Sequence, residues 1–306
     1  MPATRISIRA DLIQLGILPG SVVMAQAGVR SMGTVAGGAI AIGSAGTLAA
    51  YVDFEHFEDD TTELDVPVFD KRIANAARDH GILHEIIRTW PGAIRSDHPA
   101  DGGAAIGPLA EWITAGHPFN YGYGPDSPFE KILPKNGRVL MLGAPLDTIT
   151  LLHYAEHQAE IPNKRVRRYR RLMPALYGPE WFLFEEFDTS EPVHENLPAN
   201  AFEQIAAAYL ATGRGRRGAV ANAQAYLFDG ADLVDFGIGW LERVVRPNQK
   251  NPRSPDAYGQ YQRRYALSTK TPPQTATAEN RRPAPANDGR TCRIAPCRTF
   301  SPSHNP

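Results

Sequence analysis

The most informative segment of the sequence is Val139-Leu-Met-Leu-Gly-Ala-Pro-Leu-Asp-Thr-Ile-Thr-Leu-Leu-His-Tyr-Ala-Glu156. It begins with an unbroken apolar run, 139–143, which is typical of a strand buried on both faces of a sheet. A Gly-Ala-Pro turn ends the run, and we expect Asp147 to cap a helix that continues to about Glu160. A buried strand followed directly by a helix is the repeating unit of an α/β fold.

The rest of the chain up to residue 246 alternates between strand-like and helix-like segments. Short apolar runs predict strands at 21–27, 47–52, 169–174, 181–184 and 223–228. Apolar periodicity predicts one helix that ends at Gly16 and further helices at 71–88, 202–212 and 233–245. The sequence therefore predicts a layered α/β fold.

Residues 247–306 have a different composition. They contain ten prolines, and ten Lys/Arg against three Asp/Glu give a net charge of +7. The chain total is −1, so residues 1–246 carry −8. With few aliphatic residues, the segment cannot bury enough apolar surface to offset the entropy of ordering it. We predict one domain, 1–246, and a disordered tail, 247–306, for which the scarcity of aromatics argues against a nucleic-acid partner.

Cysteine usage and hydropathy restrict the protein class. Cys292 and Cys297 both lie in the tail, which excludes a disulfide framework or a cysteine-built zinc site in residues 1–246. The N-terminus lacks the apolar segment of a secretory signal, and glycines interrupt the longest apolar stretch, 36–51. We predict a soluble cytoplasmic protein with no membrane partner, either a monomer or a homodimer.

Several segments, in order, resemble the aminoglycoside 3-N-acetyltransferases of the antibiotic N-acetyltransferase family. Besides 139–156 they are Leu15-Gly-Ile-Leu-Pro-Gly20, Arg88-Thr-Trp-Pro91, Arg95-Ser-Asp-His-Pro99, Tyr121-Gly-Tyr-Gly-Pro-Asp-Ser-Pro128, Ile161-Pro-Asn-Lys-Arg165, Phe187-Asp188-Thr189 and Ala225-Tyr-Leu-Phe228. The resemblance covers about residues 8–246. It implies the α/β/α layered fold of that family rather than the GNAT fold. It also implies acetyl transfer from acetyl-CoA to the 3-amino group of an aminoglycoside, a route to antibiotic resistance.

The chain departs from the family pattern at three places. Gln26-Ala27-Gly28 stands where the family usually has His-x-Ser, and Gly102 stands where it has Ser. Only residues 39–45 occupy the place of a full family helix. Two alternatives therefore stay open: an impaired member that only binds drug or CoA, and an acetyltransferase that acts on a different amine.

His153 is the candidate general base, because an ammonium must lose its proton before it can attack a thioester. It falls near the carboxyl end of the predicted strand, where α/β proteins bind ligands, and imidazole titrates near neutral pH. The resemblance places the family's Thr-x-x-His motif on Thr150 and His153. Glu156 shares their helix face and would orient the imidazole or be a solvated acid. Thr150 would hydrogen-bond the cofactor, the substrate or the backbone.

The run His153-Tyr-Ala-Glu-His157 also matches H-x-x-E-H, an inverted zinc-protease pattern. Two histidines four residues apart on a helix can bind zinc. No third ligand is identifiable in the sequence, and the resemblance does not require His157. We therefore expect no metal.

Substrate contacts are expected from carboxylates, since aminoglycosides are polycations and such pairs form charge-assisted hydrogen bonds. Acidic residues are dense in 53–65 and 185–195. The resemblance implies antibiotic contacts at Asp53 and Asp188, and we add Glu191 from the second acidic segment. The resemblance also places the 121–128 loop beside the active site, so Tyr123 is a further candidate. The alternatives are hydrated loops and a tyrosine that only packs.

The co-substrate acetyl-CoA would be bound by backbone amides after the first strand, at Gly28, Val29 and Arg30, and by Thr150. Ser96 and His98 are predicted either to contact this cofactor or to form a structural network. The basic segment 213–218 could meet its phosphates, although we favour a basic surface loop.

Overall fold

The structure, a computed structural model, describes residues 3–28, 35–36, 46–53, 67–73 and 81–247. Its strands are β1 (Ala3–Thr4), β2 (Val22–Ala27), β3 (Val35–Ala36), β4 (Thr47–Val52), β5 (Ile94–Arg95), β6 (Gly102–Ile106), β7 (Arg138–Leu142), β8 (Val166–Met173), β9 (Glu180–Phe187), β10 (Arg216–Val220) and β11 (Ala223–Asp229). Its helices are α1 (Arg5–Leu15), α2 (Ile82–Thr89), α3 (Ala110–Thr114), α4 (Pro128–Lys131), α5 (Leu151–Gln158), α6 (Ala201–Ala211) and α7 (Gly230–Val245).

A seven-stranded mixed sheet forms the centre, in the order β10-β11-β7-β2-β4-β6-β5. Strand β2 pairs in parallel with both β7 and β4, and the outer pairs are antiparallel. Every residue of β2 and β4 is buried, as expected for central strands covered on both faces. The carboxyl ends of β2, β4 and β7 therefore meet at one edge of the sheet.

Helices cover both faces of the sheet. Residues of α1 and α2 such as Leu12 and Ile87 pack on one face with Val23, while α5 and α7 pack on the other face with Met24 and Met141. The alternation along β2 thus separates two apolar cores. This arrangement confirms the predicted α/β/α layering.

Most predicted strands and helices form close to their predicted positions, but the cap at Asp147 was wrong. Residues Leu146–Thr148 form a 3-10 turn, and α5 begins only at Leu151. Ile149 is fully buried and its backbone (ψ 88°) leaves the helical region, so anchoring this side chain in the core separates the turn from the helix. The helix ends at Gln158, two residues before the predicted end.

Two other helix predictions have different outcomes. Helix α1 ends at Gly16, whose φ of 114° lies in the left-handed region that glycine adopts without strain, as the sequence predicts. In the predicted helix 71–88, the structure places a turn at residues 71–73 and helix α2 from Ile82 to Thr89. Residues 74–80 lie outside the described part of the chain.

Strands β8 and β9 form a separate antiparallel hairpin. Its inward face packs Tyr169 and Phe184 against Phe69 and Ala100 in a small third core. The hairpin is attached to the loop before α4 by a backbone hydrogen bond from Tyr121 to the carbonyl of Glu185 (2.8 Å). This attachment brings the acidic residues of β9 beside the sheet edge.

Within the described residues, no helix combines the length and apolar character needed to cross a bilayer. Residues 248–306 of the predicted tail, and residues 39–45, lie outside the described part of the chain.

Candidate active site

The carboxyl edge of β2, β4 and β7 carries the candidate catalytic residues. The chain leaves β7 at Leu142, forms the 3-10 turn and enters α5, so that His153 lies in the first turn of that helix. Its backbone N–H donates to the carbonyl of Thr150 (3.1 Å). The two residues are therefore held together at the edge where parallel α/β sheets bind ligands.

His153 and Glu156 form a close pair. The imidazole Nδ1 lies 2.8 Å from Glu156 Oε2, with 21% of the histidine side chain and 6% of the glutamate side chain exposed. A carboxylate at Nδ1 favours the tautomer that carries its proton there, which leaves Nε2 as the basic nitrogen. Among the described residues, Nε2 has no hydrogen-bond partner. The pair therefore has the geometry of a general base and its orienting group.

Two aromatic rings contact the imidazole of His153. The ring centroids of Tyr123 and Phe202 lie 4.6 Å and 4.8 Å from that of His153. The Tyr123 ring is 5% exposed and stacks on Tyr51 at 6.1 Å. Burial raises the pKa of both tyrosines well above the ordinary value, so both are neutral hydroxyls at working pH. Tyr123 thus packs against the base, and any substrate contact by its side chain remains a prediction.

Thr150 is joined to the sheet through Gln26. The Gln26 side-chain Nε2 donates to Thr150 Oγ1. The Thr150 side chain does not cap α5, and its hydroxyl lies 3.5 Å from the Thr148 carbonyl, at the limit of a hydrogen bond. Thr150 is partly exposed. Its hydroxyl is therefore positioned beside His153 without a strong protein acceptor.

Gly28 lies where β2 meets the turn after β7. Its N–H donates to the Leu142 carbonyl (3.0 Å), and a Cβ at this position would lie 2.6 Å from the Gly143 carbonyl oxygen. A side chain would therefore fit at residue 28 of this chain only if the turn after β7 moved. The other two predicted amides, Val29 and Arg30, lie outside the described residues.

Carboxylates gather at the same edge of the sheet. Asp53 follows β4 directly, and the register pairs Val52 with Gly102, which places Asp101 beside it. Glu186 on β9 is 4% exposed, and its Oε1 accepts from the Phe187 N–H (2.7 Å) while Oε2 accepts from the Tyr123 N–H (3.4 Å). Burial, together with the charge of Asp101, raises the pKa of Glu186 to about 8. Sequence reasoning selected Asp53 and passed over Asp101 and Glu186.

Asp188 and Glu191 lie nearer the surface. Asp188 accepts from the backbone N–H (3.1 Å) and hydroxyl (2.5 Å) of Ser190, and these bonds lower its pKa. Glu191, with 67% of its side chain exposed, pairs with Arg165 at 2.7 Å. Both carboxylates are thus engaged in local contacts, and their roles in substrate binding remain predictions.

Ser96 and His98 belong to a buried network. His98 Nδ1 accepts from the Asp101 N–H (2.9 Å), so Nε2 carries the proton and donates to the Phe119 carbonyl (3.2 Å). Ser96 Oγ accepts from the Gly103 N–H (3.0 Å) and donates to His117 Nδ1 (3.0 Å). Burial lowers the pKa of both histidines to about 3. These internal bonds favour the structural alternative over a cofactor contact.

His157 of the zinc alternative and the basic segment 213–218 make other contacts in the structure. The His157 ring packs on Phe187 and Tyr121 at centroid distances of 5.1 Å and 5.6 Å, and burial lowers its pKa to about 4. Within the described part of the chain, no group of three or more His, Cys, Asp or Glu side chains could hold a metal ion. Arg214 of the basic segment pairs with Asp232 at 2.7 Å. Its residues 216–218 begin strand β10, which favours the surface interpretation.

Comparison with known proteins gives consistent results. The family profile described as aminoglycoside 3-N-acetyltransferase matches residues 24–242. Aminoglycoside N(3)-acetyltransferase III of Pseudomonas aeruginosa is 40% identical over 246 residues, 74% of this chain and 89% of that protein. The type IX protein of Micromonospora chalcea is 36% identical over 270 residues, 80% and 95% of the two chains.

Solved structures match over a similar extent. AAC-IIIb in a binary complex with CoASH superimposes with a TM-score of 0.77 at 40% identity, covering 83% of this chain and 100% of that one. AAC-VIa bound to sisomicin superimposes with a TM-score of 0.74 at 34% identity, covering 80% and 100%.

Proposed function

This chain belongs to the aminoglycoside 3-N-acetyltransferase family, and we propose that it transfers the acetyl group of acetyl-CoA to the 3-amino group of an aminoglycoside with His153 as general base. The observation that carries this mechanism is the His153–Glu156 pair at 2.8 Å, with Nε2 unengaged among the described residues and the ring partly exposed.

The chemistry requires one acyl transfer, the removal of two protons from the drug nitrogen and the delivery of one proton to the CoA sulfur. Nε2 of His153 accepts a proton from the drug's 3-ammonium group, and the neutral amine attacks the thioester carbonyl carbon. A C–N bond forms, the C–S bond breaks, and the CoA sulfur leaves with the electron pair. The first proton taken up by Nε2 passes to solvent; Nε2 then accepts the second proton of the attacking nitrogen and delivers it to that sulfur, so one proton is released for each acetyl group transferred. A positioned base contributes about 10²–10⁴-fold to such a step, and Glu156 stabilises the imidazolium while it exists.

The carboxylates supply the site for a polycation. Asp53 and Asp101 both act electrostatically on the Tyr51–Tyr123 pair, and Glu186 Oε2 accepts from the Tyr123 N–H (3.4 Å). Ammonium groups of the drug would pair with these carboxylates, and the charge of −8 on residues 1–246 favours the approach of a cation. Asp188 and Glu191 are proposed as outer contacts.

The co-substrate would lie along the carboxyl edge of β2 and β7. We assign Gly28 to close approach of the backbone, Val29 and Arg30 to backbone amide contacts, and Thr150 to a hydrogen bond with the thioester carbonyl oxygen. We propose direct transfer within a ternary complex; residues 1–246 contain no cysteine, which excludes a cysteinyl acetyl-enzyme there. A soluble, cytoplasmic monomer or homodimer remains our prediction.

The direct test is release of free thiol from acetyl-CoA in the presence of kanamycin- and gentamicin-type drugs, with the acetylated amine located by mass spectrometry. We expect thiol only when both substrates are present, and acetylation at the 3-amino group. Calorimetric binding of drug without thiol release would favour the impaired-member alternative. Turnover of non-antibiotic amines in preference to drugs would favour the different-amine alternative.

A further inference from the structure

Gln26 is a polar residue within a strand that is otherwise apolar. Strand β2 reads Val-Val-Met-Ala-Gln-Ala, is buried along its whole length and pairs Gln26 with Met141 in the centre of the sheet. The side chain is 7% exposed, and its Oε1 has no hydrogen-bond partner within the part of the chain that the structure describes. Leaving a buried carbonyl oxygen unpaired costs about 1–3 kcal/mol. An acceptor kept in this state at the catalytic edge indicates that a ligand supplies the missing donor.

The other end of the same amide fixes Thr150. Because Nε2 of Gln26 donates to Oγ1, the threonine oxygen acts as an acceptor and its own hydrogen points elsewhere. The one protein acceptor near that hydrogen among the described residues is the Thr148 carbonyl at 3.5 Å, which is too far for a strong bond. The hydroxyl is thus a donor available to a ligand, three residues before His153 in the chain.

The unpaired Oε1 of Gln26 and the Thr150 hydroxyl suit two atoms of acetyl-CoA. The thioester carbonyl oxygen gains negative charge as the amine attacks, and it needs a donor such as the Thr150 hydroxyl. Two carbons from the sulfur, the pantetheine arm carries an amide N–H, which needs an acceptor such as Oε1. Since Gln26 contacts the hydroxyl directly, its own amide places donor and acceptor at a fixed separation.

We propose that Gln26 is a positioning residue for acetyl transfer: Nε2 directs the Thr150 hydroxyl towards the thioester oxygen, and Oε1 accepts from the co-substrate amide nearest the sulfur. This proposal rests on the proposed function, and it applies to the position at which the chain departs from the family's usual histidine. Under this proposal, the glutamine at this position has a role in acetyl transfer.

The test reverses the direction of the hydrogen bond. In Gln26→Glu the carboxylate accepts the Thr150 hydrogen, so the donor is lost; we expect kcat to fall about 10²–10³-fold. In Gln26→Met both contacts are lost at similar length, and we expect kcat to fall about tenfold and KM for acetyl-CoA to rise. Thr150→Ser should keep most activity, and Gln26→Glu combined with Thr150→Val should be no slower than Thr150→Val alone. Gln14→Glu, at an exposed position on α1, is the matched control.

A binding measurement on the wild-type protein tests the same assignment even if the Gln26 variants fail to fold. A CoA analogue with an ester in place of the amide nearest the sulfur lacks the donor, and we expect it to bind the wild type about tenfold more weakly. Equal binding of the two compounds, or Gln26 variants with folded thermal midpoints and kcat within twofold of wild type, would overturn the assignment. If the wild type releases no thiol with any drug, the proposed function fails, while the binding comparison still decides the role of Oε1.

Discussion

Glu186→Gln tests the electrostatics of the proposed substrate site through the stability of the protein. Glu186 lies on the inward face of β9, 4% exposed, with the Tyr123 and Phe187 N–H groups as its donors. Burial and the charge of Asp101 raise its pKa to about 8. The substitution keeps the shape and one carbonyl oxygen, and it removes the titration.

The magnitude follows from linkage between protonation and folding. In the unfolded chain a glutamate titrates near 4.3, so between about pH 4.3 and 8 the folded state binds more protons than the unfolded state. The free energy of unfolding therefore falls as the pH rises through this window. Each pH unit corresponds to about 1.36 kcal/mol, so over the roughly two units from pH 6 to pH 8 the titration of Glu186 should lower the free energy of unfolding of the wild type by about 3 kcal/mol. In Glu186→Gln this contribution to the pH dependence of the free energy of unfolding should be absent over the same interval.

Urea unfolding at pH 6 and pH 9 measures this difference. We expect the wild type to lose more stability than Glu186→Gln between the two conditions, and a polycationic drug to restore it by pairing with the ionised carboxylate. Glu185→Gln is the control, since Glu185 lies on the opposite face of β9 beside Arg168 and Tyr121, which lower its pKa. Parallel loss of stability in the wild type and Glu186→Gln would refute the reasoning.

Three further outcomes are expected. Gly28→Ala should lower the free energy of unfolding by about 1–3 kcal/mol and reduce turnover, because its Cβ would lie 2.6 Å from the Gly143 carbonyl oxygen. In the control Gly218→Ala, the added Cβ would meet the flexible end of the Leu15 side chain, and we expect an unchanged thermal midpoint and unchanged turnover. Tyr209→Phe should cost about 1 kcal/mol by removing the 2.6 Å bond to Asp232, and an unchanged thermal midpoint would contradict this. A chain that ends at residue 246 should keep wild-type kcat, and loss of turnover would show that the tail takes part.

The fold was predictable where apolar runs are continuous. Strands β2, β4 and β7 follow from their composition, because a strand buried on both faces needs apolar residues at nearly every position. Strand β6 was missed because its Gly-Gly-Ala-Ala-Ile sequence has little strand propensity; Pro128 lies close above Gly103 and leaves no room for a side chain there. The end of the 3-10 turn depends on burial of Ile149, a tertiary contact that a local capping rule does not include.

Some residues of the candidate site were likewise predictable from the sequence, and others were not. His153, Glu156 and Thr150 are neighbours on one helix, so their proximity follows from spacing and was predictable. Glu186 and Asp101 come from a hairpin and from the start of an antiparallel strand, and only the folded arrangement brings them towards Tyr123. An alternating pattern on β9, with Phe184 and Glu186 inward and Glu185 outward, is the signal that could have singled out Glu186 within the acidic segment.

The measurement that tests the central claim most directly is the pH dependence of drug-dependent thiol release in His153→Ala, with and without added imidazole. The substitution removes the ring that contacts Tyr123 and Phe202, and because 21% of this side chain is exposed, free imidazole should be able to reach the vacated position. We predict a fall in kcat of about 10²–10⁴-fold and partial recovery as imidazole is added in its neutral form. A variant that keeps kcat within tenfold of the wild type, with the same pH profile and no response to imidazole, would contradict the role of His153 as the base.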